Sequence, residues 1–490
     1  MDKNKIWFVV GSQHLYGQEP LAIVQQHADE IVAFLNQYTD AEIVGKPIVT
    51  TASEIEAVMK AANEAEDCIG VMTWMHTFSP SKMWISGIRL LKKPICHFHT
   101  QFNDELPYDT IDMDFMNLNQ AAHGDREHGF LYAAMRKPRK VIVGYWKHKE
   151  TIDEINTFIS ACIGYKTSSH LRICRFGDNM REVAVTEGSK VNAQIKLGWS
   201  VEGYGPDNLM AVIEQVTEDE IDALMKEYEQ QYEFVTEDIA AIREQAKYEI
   251  GIERFLKDGG FHGFTTTFEN LGALRQLPGL AVQRLMQKGY GFGAEGDWKT
   301  AAMCHLLKRM SANCEASFME DYTYHLRSGE EFILGAHMLE VCPSIADGKI
   351  RIDVQPLSIG NREAPARMLF EGKAGDAVAV SLIDLGNHFR LIAAKVNCIK
   401  LPHTMPKLPV AFAAWRPYPD FSTGIKAWLL AGGAHHTVLC YRLGIEHIRD
   451  LARMLDVECV VIDENTNIQA FERDLAMSDF LWSQKNTFNG

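Results

Sequence analysis

Ile6-Trp-Phe-Val-Val-Gly-Ser-Gln-His-Leu-Tyr-Gly17 decides how the fold is read. Its five leading apolar residues, Ile6 to Val10, are cut off at once by glycine and a polar run. That is the pattern of a buried strand ending in a loop. The unit then repeats. An amphipathic stretch predicts a helix near 21–37, and 42–49 reads as a second strand. Residues 68–74 and 94–99 read as two more strands, with a helix between them at 82–91. Ser53-Glu-Ile-Glu56 has the S-x-x-E spacing of a capping box and predicts a helix running to about Glu66. Strand–helix alternation with short links predicts a parallel, doubly wound sheet, whose ligands bind in loops beyond the C-terminal strand ends. Those loops are Gly11–Gly17, His76-Thr-Phe-Ser-Pro80 and His99-Thr-Gln-Phe-Asn103. Their aromatic and hydrogen-bonding side chains suit a sugar. No G-x-G-x-x-G follows the first strand and no P-loop is present, so a nucleotide phosphate has no cradle.

A second α/β segment opens at Leu171-Arg-Ile-Cys-Arg-Phe-Gly177. Thr217-Glu-Asp-Glu220 gives another cap, and 237–257 is a long amphipathic run whose acidic face is solvated surface. From about Ser317 the pattern changes. Residues 366–370, 377–384 and 389–398 read as strands joined by short turns such as Gly372-Lys-Ala-Gly375, the signature of an antiparallel region or barrel. The C-terminal stretch returns to helix, a strand at 457–463, and helix.

At 490 residues the chain exceeds what one core fills, so two or three domains are expected. A composition 46% hydrophobic and 23% charged is that of a globular protein, and a net charge of −16 argues against a phosphate-backbone partner. The opening apolar run is too short for a signal peptide, and no stretch approaches the ~18 apolar residues that cross a bilayer. A cytoplasmic enzyme is expected. The ten cysteines include no C-x-x-C, and most sit in apolar runs, which predicts reduced, buried thiols and no zinc–thiolate site.

Four segments place metal-ligand residue types in polar or glycine-flanked settings. Gly293-Ala-Glu-Gly-Asp-Trp298 puts Glu295 between glycines just before a helix starting near Asp297. Ser317-Phe-Met-Glu-Asp-Tyr-Thr-Tyr-His325 interrupts an apolar strand with Glu320 and Asp321, which point to opposite faces, so one of them can reach a shared site. Leu334-Gly-Ala-His-Met-Leu-Glu340 carries His337, and Leu430-Ala-Gly-Gly-Ala-His-His-Thr437 carries His435 and His436. Each also has a plain structural reading, as a helix cap, a core histidine or a surface pair. Two carboxylates with one or two neutral imidazoles suit Mn²⁺ or a similar ion with open positions.

These segments, with Asp112-Met-Asp-Phe-Met-Asn-Leu-Asn-Gln120 and Arg175-Phe-Gly-Asp-Asn-Met-Arg-Glu182, closely resemble the L-arabinose isomerase family over essentially the whole chain. The resemblance implies an aldose–ketose isomerase interconverting L-arabinose and L-ribulose, also D-galactose and D-tagatose, as the first step of L-arabinose catabolism. It implies one Mn²⁺ per subunit held by Glu295, Glu320, His337 and His436, with His436 rather than His435 as ligand. Implied substrate contacts are Gln13, Leu15, Gln120, His123, Met180, Phe268, Met338 and Ile359, with His123 reaching a neighbouring subunit's site in a homohexamer. The implied fold is α/β: two parallel-sheet domains of Rossmann or flavodoxin type, 1–168 and 169–316, then a C-terminal domain, 317–490, with an antiparallel β-barrel. A metal-assisted ene-diol route uses Glu295 and Glu320 as the proton-moving pair, in an order the sequence leaves open; a hydride shift is the alternative. The competing readings are an L-fucose isomerase and a non-catalytic sugar-binding protein.

Overall fold

A computed structural model describes residues 4–357 and 361–485. The chain divides into two compact units, Met1–Lys166 and Thr167–Gly490. The first holds a five-stranded, all-parallel sheet in the order Glu42–Gly45, Lys5–Val10, Cys68–Trp74, Ile95–His99, Lys140–Val143. Strand Cys68–Trp74 is buried throughout, as parallel strands covered on both faces must be.

The second expected strand is shorter than 42–49, with Val49 forming only an isolated bridge to Gly11. The 82–91 helix divides into a 3-10 turn, Ser81–Trp84, and a helix, Ile85–Leu90. The expected cap at Ser53 and Glu56 is not used. The helix is Ala52–Glu64, capped by Thr51 with Glu54. Glu54 Oε2 collects the N–H groups of Thr50 and Thr51 and the Thr50 hydroxyl, whereas Glu56 pairs with Lys60. Two overlapping boxes were written in the sequence, and the one gathering more donors sets the start.

The second unit has a parallel sheet in the order Gly291–Gly293, Gly263–Thr265, Arg172–Phe176, Ser200–Tyr204. It also has a closed antiparallel barrel of six strands. Around the barrel run Gly375–Asp384, His436–Cys440, Ala316–His325, Phe332–Ala336, Phe412–Pro417 and Phe389–Ile399, which pairs back to the first. Glu458–Ile462 adds to Phe389–Ile399 in parallel. Alternate residues of the barrel strands enter different cores. Phe318, Val378, Leu391 and Val438 join the core that includes helix Trp298–Met310, whereas Met319, Ala379, Ile392 and Leu439 join the other. Burial on both faces is why 377–383 reads as a nearly continuous apolar run.

One strand of the expected antiparallel region lies outside the barrel. Ala366–Leu369 pairs with Arg351–Val354 in a small side sheet, and the turn Gly372–Gly375 leads from it into the barrel. Short apolar strands look alike in sequence, and only pairing assigns them to a sheet. Eight of the ten cysteines are buried thiols; Cys314 is exposed and Cys459 half-buried. Among the described residues no helix is long and apolar enough to cross a membrane.

Candidate metal centre

Glu295 sits just past the C-terminal end of strand Gly291–Gly293, with φ 59°, followed by Gly296 at φ 83°. Left-handed backbone is costly for a side-chain-bearing residue and collects at functional sites. It is fixed here by hydrogen bonds: the Met180 N–H donates to the Glu295 carbonyl at 3.1 Å, and the Gly296 N–H to Thr266 at 2.9 Å. A Cβ on Gly296 would stand 2.5 Å from the Asn179 Cα, so only glycine fits. Asp297 then caps the helix Trp298–Met310.

The barrel supplies the remaining groups. Glu320 is paired with His436 on one side and Ala336 on the other, so the Glu320 and His436 side chains share a face, with His337 one residue beyond. The four candidate ligands come together. His436 Nε2 is 3.9 Å from Glu295 Oε2, His337 Nε2 is 3.8 Å from Glu320 Oε2, and the two imidazole rings lie 5.8 Å apart. His435 Nε2 stands 3.4 Å from the same Glu295 oxygen, and Glu295, His435 and His436 also offer three potential ligand atoms within 4.8 Å of one another. The adjacent histidines therefore compete for one carboxylate. They differ in setting: His436 is fully buried, whereas the His435 side chain is 33% exposed.

Each inner imidazole is oriented from behind by a carboxylate. His436 Nδ1–H donates to Asp297 at 3.2 Å, and His337 Nδ1–H to Glu340. For His436 this leaves Nε2 as a lone pair turned to Glu295, buried with no hydrogen-bond partner. A carboxylate behind the far ring nitrogen is the usual support of a metal-bound histidine. Asp297 is in turn held by Lys299 at 3.1 Å and the Thr300 hydroxyl at 2.7 Å.

The two imidazoles shift in opposite directions. Burial holds the His436 imidazole below its ordinary pKa, keeping it neutral and free to ligate. Burial opposes ionisation of Asp297, but Lys299, His436 and Thr300 outweigh it and hold the carboxyl well below the usual range. For His337 burial is outweighed by Glu340, Glu320 and Glu295, which raise it. Glu295 is held low against its burial by His435 and His436, while Glu320 is raised, chiefly by burial. Asp321 is pushed up to about 7 by burial and by the neighbouring Glu320. Close-set carboxylates and imidazoles with divergent pKa values suit a cation.

Family models cover nearly the whole chain. The L-arabinose isomerase N-terminal domain matches residues 1–170, the L-arabinose isomerase central domain 172–313, and the L-arabinose isomerase C-terminal domain 315–458. The chain belongs to the L-arabinose isomerase family. It is 53% identical over 486 residues to the L-arabinose isomerase of Geobacillus stearothermophilus, covering 98% of each chain. It is 52% identical over 489 residues to that of Thermotoga maritima, again 98% of each. L-arabinose isomerase 1 of Bacillus licheniformis is 53% identical over 476 residues, 96% of this chain and 97% of the relative. The activity that comes with this family is the isomerisation of arabinose, and the residue groups above suit a metal ion.

Of the substrate contacts expected for an arabinose isomerase, three border the centre. Met180 bonds the Glu295 backbone, the Phe268 ring stacks 6.0 Å from His337, and Met338 follows His337 and accepts from the Tyr322 hydroxyl at 3.8 Å. Gln13, Leu15, Gln120 and His123 belong to the first unit. There Gln120 accepts from the Tyr16 hydroxyl at 3.4 Å and His123 lies against the Phe78 ring at 4.7 Å, while Leu15 is 84% exposed. Ile359 lies outside the described residues. Asp297 and Glu340 were not singled out as functional. Their signals were the E-G-D spacing after Glu295 and the three-residue step from His337 to Glu340, both legible only once the histidines are known to need support.

Proposed function

We propose that this isomerase holds one Mn²⁺ through Glu295, Glu320, His337 and His436 and interconverts L-arabinose and L-ribulose, with D-galactose and D-tagatose as a second pair, by an ene-diol route. The observation carrying this reading is the His436 imidazole: its Nδ1–H is committed to Asp297, and its Nε2 is buried, unpartnered and turned toward Glu295. A buried unmatched acceptor is costly, and a cation is what the surrounding donor set fits. A bound divalent ion supplies Lewis-acid polarisation of the sugar oxygens at C1 and C2.

The chain's own residues do the rest. Glu295 and Glu320 move the protons, one taking the C2 proton while the other serves the hydroxyl oxygens, a division two carboxylates in one pocket can sustain. The Phe268 ring and the Met180 and Met338 side chains give the sugar's carbons an apolar wall and keep bulk water from the proton path. The finer organisation we propose is three domains, 1–168, 169–316 and 317–490, assembled as a cytoplasmic homohexamer. His123 of one chain there completes the site of another.

A ketose-specific assay on L-arabinose tests the metal reading. Chelation should abolish turnover and added Mn²⁺ restore it; full activity with metal content verified near zero overturns it. Coexpressing His123→Asn with Glu295→Gln tests the shared site. If each is inactive alone, mixed oligomers should regain roughly a quarter of the sites when chains mix at random. Mixed oligomers as inactive as their parents would show that His123 serves its own chain.

A further inference from the structure

We propose that Asp125 is a positioning residue for His123: held by two histidines of one strand, its buried carboxylate sets the rotation of the helix that presents His123 to the sugar. The inference rests on the reading above that His123 contacts the substrate. Asp125 acts through His123 and meets no reacting atom.

His97 and His99 stand two residues apart on strand Ile95–His99 and so share a face. Asp125, on helix Ala121–Ala134, meets both. Its Oδ1 accepts from His97 Nε2–H and its Oδ2 from His99 Nδ1–H, each at 2.7 Å. Using each oxygen once fixes the direction of the carboxylate as well as its place. The Asp125 side chain is 3% exposed. Almost one turn further along the helix, His128 sets its ring edge-on to His97 at 5.2 Å. What a buried carboxylate adds over an apolar side chain of similar size is a defined geometry.

The start of the helix is held from other sides too. The Gln120 N–H donates to the His76 carbonyl at 2.8 Å, and a Cβ on Gly124 would stand 3.0 Å from the Thr77 carbonyl. Gly124 and Asp125 are buried, whereas His123 just before them is exposed, with its ring 4.7 Å from that of Phe78. Successive residues turn about 100° around a helix axis, so Asp125 lies on nearly the opposite side from His123. Drawing Asp125 in against the strand therefore turns His123 out. With the clamp gone, the helix is free to rotate and carry the His123 ring off its line.

Asp125→Ala removes both acceptors. His99→Phe, at a side chain 32% exposed, keeps a ring and removes one donor, so it answers the question even where the alanine variant fails to fold. In the full-length, Mn²⁺-loaded protein each should raise the KM for L-arabinose, and the calorimetric Kd for the non-isomerisable L-arabitol, by about tenfold, because a slight misplacement of a contact is felt strongly. Mn²⁺ affinity should stay at the wild-type level. A merely structural role would instead lower the number of sites titrated and the apparent kcat while leaving KM and Kd unchanged, and that result overturns the proposal. His123→Asn, titrated with L-arabitol in parallel, separates the two readings. Weakened binding in His123→Asn beside wild-type binding in Asp125→Ala and His99→Phe overturns this inference alone. A wild-type Kd in His123→Asn overturns the reading of His123, and the inference falls with it.

Discussion

At the scale of single residues, two carboxylates, Asp297 and Glu340, stand behind the imidazoles of the candidate centre. Asp297→Asn keeps the cap geometry but removes the charge that holds His436 Nδ1–H and pairs with Lys299. Loss of such an outer partner typically costs 10–100-fold in metal affinity or activity, and Mn²⁺ titration of the variant should show about that drop. Undiminished affinity would mean His436 is oriented by something else. The adjacent histidines are separated in the same way. His435→Ala should keep metal stoichiometry near wild type, and His436→Ala should lose it; the reverse result would make His435 the ligand. Glu320→Gln keeps the shape while removing a proton acceptor, so turnover should fall at least ~10²-fold. The residue types were legible in the sequence as candidates. Their roles were not, because whether His436 is a ligand or a core histidine depends on what faces each ring nitrogen.

At the scale of elements, the candidate centre draws on the end of a parallel strand and on paired strands of the antiparallel barrel. Strand Gly291–Gly293 delivers Glu295, the barrel pairing of Glu320 with His436 fixes two more groups, and the turn after Phe332–Ala336 delivers His337. The Gly296 turn is the vulnerable joint. Gly296→Ala puts a methyl against the Asn179 backbone in a left-handed conformation that alanine resists at a cost of ~1–3 kcal/mol. We expect a lower Tm together with weakened metal binding, since the same turn carries Glu295. A Tm loss with unchanged metal affinity would show that the turn tolerates the shift without moving Glu295. Strand existence and antiparallel pairing were readable from apolar runs and short turns, but whether Ala366–Leu369 joins the barrel or a side sheet was not, because a strand's own residues do not name its partner. The Thr51 cap was displaced by two residues because two boxes overlap and only donor geometry chooses between them.

At the scale of the molecule, buried neutral histidines set the response to acid. Burial holds His76 and His305 at about 3 and drives His128 well below its ordinary value. The sign follows from proton counting. Below pH ~6.5 the unfolded chain takes up protons at these imidazoles while the folded chain does not, so stability falls as pH falls through that window toward 3. Asp297 acts in the same direction, its folded carboxyl staying ionised where the unfolded one protonates. Asp321, pushed up to about 7, acts in the opposite direction, since it binds a proton in the folded state first, and so do Glu320, His337 and His435. The refusing imidazoles, His27, His262 and His436 with the three above, outnumber these. Scanning calorimetry of the metal-free protein should give a lower Tm at pH 4.5 than at pH 7, and an equal or higher Tm at pH 4.5 would contradict this balance.

The sequence by itself determined the α/β class, the switch to antiparallel strands near Ser317, and the residue types able to ligate a cation. Each of these is written in local periodicity or in side-chain chemistry. The tertiary structure decided the closure of six strands into a barrel, the sheet to which Ala366–Leu369 belongs, and the pairing of His436 with Asp297 and of His337 with Glu340. It also decided that Glu295 takes a left-handed backbone. Those features depend on groups up to 139 residues apart meeting within hydrogen-bond distance, and no local window of sequence encodes which distant partner a buried polar atom will find.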